Sequence, residues 1–351
     1  MRDIVIGDIH GCYDELMSLL KALNFSEETD RIISVGDIVD RGPDSVKVYQ
    51  FFKENPKHIV VMGNHENKHH NQVLSYSQEI VKVQFGTRYP EFLEWVRKLP
   101  YYYETESAII VHAAIEPDVP LKDQKKEVLM GSTSGEKYLT NKIGSEDWTS
   151  LYQVQKPVLF GHRVVGDVAQ MYGDKIYGLD TGACFGGFLT AITLPDFQIY
   201  SVKADRNYWK SQMETWQVEV VRAKPWKTFE FEKIQKEISK IRNSKQPEIV
   251  EFISDVENWF RSLEEAYGKI IENLEYRSSK ILEEFGADSF IKASKEYEYN
   301  VLLILSQKKR LNVKHLKDSF KTPAKLFQLL HQLDLKVEDP FLKIGKGNEK
   351  E

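Results

Sequence analysis

Arg31-Ile32-Ile33-Ser34-Val35-Gly36-Asp37-Ile38-Val39-Asp40-Arg41-Gly42 is the stretch whose reading decides the fold. Its first half, residues 31–35, is short, β-branched and apolar, as a buried strand requires. Its second half turns at once to glycine, carboxylates and a guanidinium. The same grammar occurs twice more. Residues 4–6 lead into Gly7-Asp8-Ile9-His10-Gly11, and residues 58–62 lead into Gly63-Asn64-His65-Glu66. Between them Leu16, Leu19, Leu20 and Leu23, and then Val46, Val48, Phe51 and Phe52, recur at helical spacing. Strand, polar loop and helix in alternation predict a parallel α/β core with the polar strings on loops beyond the strand ends.

Further strands are predicted at 107–112, 158–160, 175–178, 188–194 and 198–203. The last two are joined by Pro195-Asp196-Phe197, a hairpin turn, so a pair of mixed sheets is expected rather than one parallel sheet. Residues 115–155 read as a polar loop roofing the site. After about residue 205 glycine thins out and charged helical pattern takes over. Ile249, Ile253, Val256, Phe260, Leu263, Tyr267, Ile270 and Leu274 follow one another at spacings of four and three. The register stumbles at Arg277 and resumes at Ile281, which predicts a long helix over about 248–285. That seam packs in an intramolecular hairpin or bundle, or joins two copies in a homodimer through 249–281. The expected division is therefore 1–204, α/β, and 205–351, an all-α extension.

Composition narrows the class. With 351 residues, 41% of them apolar, the chain can bury a full core, and its net charge of −5 is not that of a general polyanion binder. The acidic excess sits with the polar strings: residues 1–204 hold 21 Lys and Arg against 28 Asp and Glu. Two cysteines, Cys12 and Cys184, are too few for a disulfide scaffold and fit a reducing compartment. The N-terminus shows no basic then apolar leader pattern, and no apolar run approaches a bilayer span, so a cytoplasmic protein without membrane contact is expected.

The three strings carry hard and borderline metal donors. Asp8 and His10 leave the same strand one residue apart, Asp37 can bridge two cations through its two oxygens, and Asn64 offers a neutral carbonyl. His112 and His162 end two later apolar strands, at Val111-His112-Ala113 and Phe160-Gly161-His162. Asp8, His10, Asp37, Asn64, His112 and His162 thus form a mixed nitrogen and oxygen set without thiolate. Such a set suits two divalent ions, manganese first with iron or zinc as alternatives, rather than calcium. A pair of cations of this kind activates a bridging water against phosphorus. His65, next to Asn64, is placed to protonate a leaving oxygen, Asp40 to hold that imidazole in its useful tautomer, and Arg41 to fork two phosphate oxygens.

These strings, followed by Leu179-Asp180-Thr181-Gly182-Ala183 and Gly186-Gly187, resemble the calcineurin-like metallophosphoesterases, and among them the short bacterial members of the phosphoprotein phosphatase family. The resemblance covers residues 1–204 and implies a two-sheet α/β sandwich with two metals across its top. It places one ion on Asp8, His10 and Asp37 and the other on Asp37, Asn64, His112 and His162. It makes His65 with Asp40 the acid pair and Arg41 a phosphate-binding arginine. The implied activity is phosphatase chemistry of the serine/threonine protein phosphatase type. The alternative is hydrolysis of dinucleoside polyphosphates or RNA-end phosphates, with the helical extension recruiting substrate or partner.

Two departures stand out. Ala114 replaces the family's usual glycine after the strand-exit histidine, and no arginine lies between Arg97 and Arg163, so Arg163 or Lys137 is the substitute for a second phosphate-binding arginine.

Other features read more plainly. His69 and His70 are expected on a solvated helix face, Cys12 and Cys184 as small buried filler, and Tyr101-Tyr102-Tyr103 in core and edge packing. The basic stretch 308–325 is expected to be a solvated helix face or a nucleic-acid contact.

Overall fold

The computed structural model describes residues 1–153, 156–173 and 175–344; residues 154–155 of the expected loop and 345–351 of the expected helical region lie outside these. Two units divide the chain, Met1–Gln217 and Val218–Glu351.

The first unit is built on strands β1 (Arg2–Ile6), β2 (Asp30–Ser34), β3 (Ile59–Val60), β4 (Tyr102–Glu104), β5 (Ile109–Val111), β6 (Val158–Phe160), β7 (Gln170–Tyr172), β8 (Ile176–Gly178), β9 (Phe188–Leu194) and β10 (Ile199–Lys203). One sheet runs β10-β9-β1-β2-β3 and the other β4-β5-β6-β8-β7. In the first, β1, β2 and β3 are parallel, with Ile4 opposite Ile32 and Ile33 opposite Ile59, while β9 and β10 are antiparallel additions. In the second, β5, β6 and β8 are parallel and β4 and β7 are antiparallel edges. The α/β sandwich of two mixed sheets is thus as expected. Tyr102 and Tyr103 of the run 101–103 lie in the β4 edge, and Tyr101 packs beside the core.

Period-two alternation explains why the sheets stack. Val5, Ile33, Ile110, Leu159 and Ile192 point into the layer between them. Ile4, Ile6 and Ile32 point to the opposite face and pack with Leu16, Leu19, Val48, Phe52, Phe85 and Phe92. Those belong to helices α1 (Tyr13–Ala22), α2 (Ser45–Glu54), α4 (Tyr76–Phe85) and α5 (Tyr89–Val96); α3 (Asn64–His70) opens at the third polar string. The outer face of the second sheet is covered by α6 (Lys126–Leu129) and α7 (Thr133–Ile143), where the sequence suggested only loop. Val128, Leu129 and Leu139 are buried there, but Lys126, Glu136, Lys137 and Lys142 dominate the composition and mask so short an apolar stripe. Ser132 caps α7 by accepting the Gly135 N–H at 3.1 Å. The unit reaches beyond residue 204 because α8 (Tyr208–Thr215) packs back on it: Tyr208 is buried and its hydroxyl donates to Glu15 Oε1 at 2.7 Å.

The second unit is helical: α9 (Gln217–Ala223, its first residue in the preceding unit), α10 (Phe231–Ile241), α11 (Pro247–Ser294), α12 (Asn300–Gln307), α13 (Val313–Ser319), α14 (Pro323–Gln332) and α15 (Phe341–Ile344). Within α11, Gly286 has φ 72° and ψ 170°, a break in the helix that glycine tolerates without a Cβ clash. Ile249, Val256, Leu263, Tyr267, Ile270, Leu274 and Ile281 are buried against Leu302, Leu303, Leu316, Leu326 and Leu329, so the heptad seam is filled from within the unit. Lys308, Lys309, Arg310, Lys314, Lys317, Lys321 and Lys325 are exposed, with Lys317 Nζ near Glu264 Oε1 at 2.5 Å. Among the described residues no helix is long and apolar enough to cross a membrane.

Candidate metal centre

The loops leaving β1, β2, β3, β5 and β6 converge at one end of the sandwich, and they do so in strained backbone. His10, Asp37, Asp40, Arg41 and His162 have φ of 47°, 50°, 75°, 64° and 71°. Non-glycine residues adopt this left-handed region only when surrounding structure holds them there, and such strain gathers at functional sites. Two glycines make the approach of the carboxylates feasible: a Cβ on Gly63 would collide with Asp37 Oδ1, and one on Gly161 with Asp8 Oδ1.

Two donor triads result. Asp8, Asp37 and His112 each bring a ligand atom within 4.8 Å of the others, and so do His10, Asp37 and His65. Asp37 is common to both. From its Oδ2 the Nε2 atoms of His112, His10 and His65 lie 3.4, 3.7 and 3.9 Å away. Asn64 Oδ1 stands 3.0 Å from His112 Nε2 and 3.2 Å from His162 Nδ1, and the His162 N–H donates to Asp8 Oδ1 at 3.1 Å. All six sequence-expected ligands are therefore brought together. The grouping has one difference from the expected assignment: His65, read as an acid, also lies beside Asp37, while Asp8 joins Asp37 and His112.

The histidine rings are oriented from behind. His10 Nδ1 lies 2.9 Å from the Val39 carbonyl and His112 Nδ1 lies 3.0 Å from that of Val35, which leaves each Nε2 facing inward. His65 Nδ1 meets Asp40 Oδ2 at 2.5 Å. Arg41 reaches both Nε2 atoms of the pair His10 and His65, at 2.9 Å each. Arg163 stands apart from this buried set: its side chain is half exposed and its Nη2 donates to Glu136 Oε1 at 3.0 Å. Glu136 also meets His162 Nε2 at 3.1 Å. Lys137 is exposed.

Electrostatics fit the donors to cations. Burial, with Asp180 and Asp37 adding like charge, pushes the Asp8 carboxyl well above its usual range. Burial opposes ionisation of Asp37 too, but the imidazoles of His112 and His65 outweigh it and hold it well below. For His112, burial favours the neutral ring, yet Asp37, Asp8 and Glu66 push its pKa up to about 10. His10 is kept neutral by burial and by Arg41 and His65, the form in which imidazole ligates. Divalent ions among these groups would relieve the carboxylate repulsion around Asp8 and replace the proton that His112 otherwise holds.

Several residues without an expected role in the site complete it. Glu66 is fully buried, and its carboxylate accepts the backbone N–H groups of Asp37 at 2.8 Å, Ile38 at 2.9 Å and Gly63 at 3.2 Å, tying the second loop to the third. His69 is not on a solvated face: it is completely buried, with Nε2 3.0 Å from Asp40 Oδ1 and Nδ1 2.9 Å from the Tyr89 hydroxyl. The i, i+4 spacing of His65 and His69 on one helix was the available signal. Gln78, from α4, donates to Asp40 Oδ2 with no signal in the sequence at all. Asp180 is buried and accepts the Gly182 N–H at 3.0 Å. Cys12 and Cys184 are free and buried, as expected.

Carboxylates, imidazoles and one amide at strand exits, with Asp37 common to two triads, make the donor set of a dinuclear hydrolase centre. The chain belongs to the calcineurin-like phosphoesterases, metal-dependent hydrolases whose family pattern matches residues 1–181, just over half of it. Among curated relatives it is 30% identical over 238 residues to a bis(5'-nucleosyl)-tetraphosphatase PrpE [asymmetrical] of Bacillus cereus (strain Q1), spanning 58% of this chain and 94% of that one. It is 32% identical over 233 residues to the protein of the same name from Oceanobacillus iheyensis, spanning 58% and 92%. Among solved structures, a protein serine/threonine phosphatase from Saccharomyces cerevisiae is 15% identical with a TM-score of 0.43, over 58% of this chain and 79% of that one.

Proposed function

We propose that this protein hydrolyses dinucleoside polyphosphates, with two divalent cations held by Asp8, His10, Asp37, Asn64, His112 and His162. The observation that carries the reading is the sharing of Asp37 between two buried donor triads, set beside the His65–Asp40 pair. The relatives at about 30% identity favour a nucleotide substrate over the protein phosphatase reading, since their names state that they are tetraphosphatases and almost their whole length matches. Manganese is the first choice of metal, with iron or zinc as alternatives.

When bound, the cations supply Lewis acidity at phosphorus and a water acidic enough to attack at neutral pH. The rest falls to side chains. Arg41, whose two Nη atoms lie at His10 and His65, would turn its fork to the transferred phosphoryl group. Asp40 keeps a proton on His65 Nδ1 and stabilises the charged ring, so His65 Nε2 can donate to the departing phosphate oxygen as the P–O bond breaks. Asn64 contributes its carbonyl oxygen without further negative charge.

The test is a side-by-side assay of metal-reconstituted full chain on bis(5'-adenosyl) tetraphosphate, a phosphoserine peptide and 5'-phosphorylated RNA. Asymmetric hydrolysis of the first gives ATP and AMP, separable by ion exchange from the two ADP of symmetric cleavage. Turnover of the peptide or the RNA at higher kcat/KM than the tetraphosphate overturns this reading.

A further inference from the structure

A cavity of about 300 Å³ adjoins the metal centre, sharing His162 with it. Its walls come from α7, the loop after it, β6 and β7. Trp148, Phe160 and Tyr172 form an aromatic side, with ring centroids 5.4 Å apart for the first pair and 6.0 Å for the second. At its mouth are Arg163 and Glu136, and its rim carries the exposed carboxylates of Glu146 and Asp147. We infer that this cavity binds the nucleobase of one nucleoside of the substrate while its phosphates lie at the metals. The inference rests on the dinucleoside reading and deepens it.

Three properties select a base over other occupants. The volume matches the lower end of small-molecule sites, enough for one ring system and too small for a folded peptide element. Aromatic walls offer stacking to any planar π-face. Among the described residues that line it the charges are Glu136, Glu146 and Asp147 against Arg163, and Arg163 is already engaged by Glu136. That balance repels a second phosphate or an acidic side chain, while carboxylates accept the amino and ring N–H donors of an adenine or guanine edge. Continuity completes the argument. His162 lines the cavity, and its other ring nitrogen lies 3.2 Å from Asn64 Oδ1, so a phosphate at the metals and a base in the cavity belong to one short ligand.

Calorimetry on the manganese-reconstituted full chain tests this by comparing adenosine 5'-monophosphate with ribose 5-phosphate, which differ only by the base. The monophosphate binds at least about 10-fold tighter if the cavity takes the base. Thr140 lines the cavity and is half buried, so Thr140→Trp fills it and abolishes that advantage. Tyr172→Ala, on an edge strand, shrinks the advantage by removing a wall and serves if the bulky variant fails to fold. Equal affinity of the two probes in the unmodified protein overturns the assignment, and so does an advantage that survives both substitutions. The tetraphosphate assay is scored separately. Base preference without tetraphosphate turnover keeps the pocket and discards the substrate reading; turnover without base preference does the reverse.

Discussion

His69 Nε2 lies 3.0 Å from Asp40 Oδ1, on the carboxylate oxygen opposite the one that His65 Nδ1 meets at 2.5 Å. The His65–Asp40 pair is therefore one end of a longer buried chain that runs Tyr89, His69, Asp40, His65. Burial opposes the charge on Asp40, but the two imidazoles outweigh it and hold the carboxyl below its usual range. An ionised Asp40 is what fixes the proton on His65 Nδ1 and turns Nε2 inward, where Arg41 lies 2.9 Å away.

His69→Leu should lower kcat by about 10-fold with KM and bound metal unchanged, because it removes a donor that orients Asp40 and touches neither substrate nor ion. His65→Asn should cut kcat by roughly 10²- to 10⁴-fold, as loss of a general acid does. Elemental analysis of both variants decides the role of His65, which also stands 3.9 Å from Asp37 Oδ2. Full metal content in His65→Asn supports the acid; loss of an ion makes His65 a ligand instead.

Asp8→Asn should weaken metal binding by at least about 10-fold, since even partners behind a ligand cost that much. In the unmodified protein, chelation should abolish turnover. Manganese at 100 times its dissociation constant should then stabilise the fold by about 2.7 kcal/mol. The variant should show a smaller gain at equal manganese. Thermal unfolding with and without metal reads both effects, and equal shifts in the two proteins would remove Asp8 from the ligand set.

Much of this was legible because chemistry and local structure demand the same residues. A donor at a strand exit needs an apolar run before it and room around it, so the convergence of Asp8, Asp37, Asn64, His112 and His162 could be expected from the sequence. The α11 seam was legible for the same reason, since Ile249 to Leu274 repeat without a gap. What stayed hidden depends on contacts between distant segments. The left-handed backbone at His10, Asp37, Asp40 and Arg41 is imposed by the loops around it, among them the Glu66 carboxylate that ties Asp37 to Gly63. Gln78 reaches Asp40 across 38 positions of sequence. α6 and α7 were missed because three buried side chains in a charged segment give no clear period.

Arg41 and Arg163 should separate sharply. Arg41 lies between His10 and His65, where a charge-assisted fork to phosphate costs roughly 10- to 150-fold in kcat/KM when removed. Arg163 is about half exposed and already paired with Glu136, and an exposed pair of that kind contributes at most about 1 kcal/mol, a factor of roughly 5. Steady-state kinetics of Arg41→Ala and Arg163→Ala on one small phosphoester would check the ranking. Equal losses would bring Arg163 into the phosphate clamp.

His58 gives the fold a pH dependence independent of the metals. It is 6% exposed, its Nδ1 accepts the Ile32 N–H at 3.2 Å, and its ring stacks on Phe51 at 5.5 Å. Burial, helped by Lys57, pushes its pKa from 6.5 down to about 4. Between those values the unfolded chain binds a proton that the folded chain refuses, so stability falls as pH falls. The contribution is fully present above about pH 6.5. It loses about 2 kcal/mol by pH 5 and about 3 in all once pH passes 4. His58→Gln keeps an acceptor near Ile32 but cannot titrate. Urea unfolding at pH 7 and pH 5 should therefore show a smaller acid loss in the variant than in the unmodified protein, by about 2 kcal/mol. An identical loss in both would mean that His58 is protonated in the folded state.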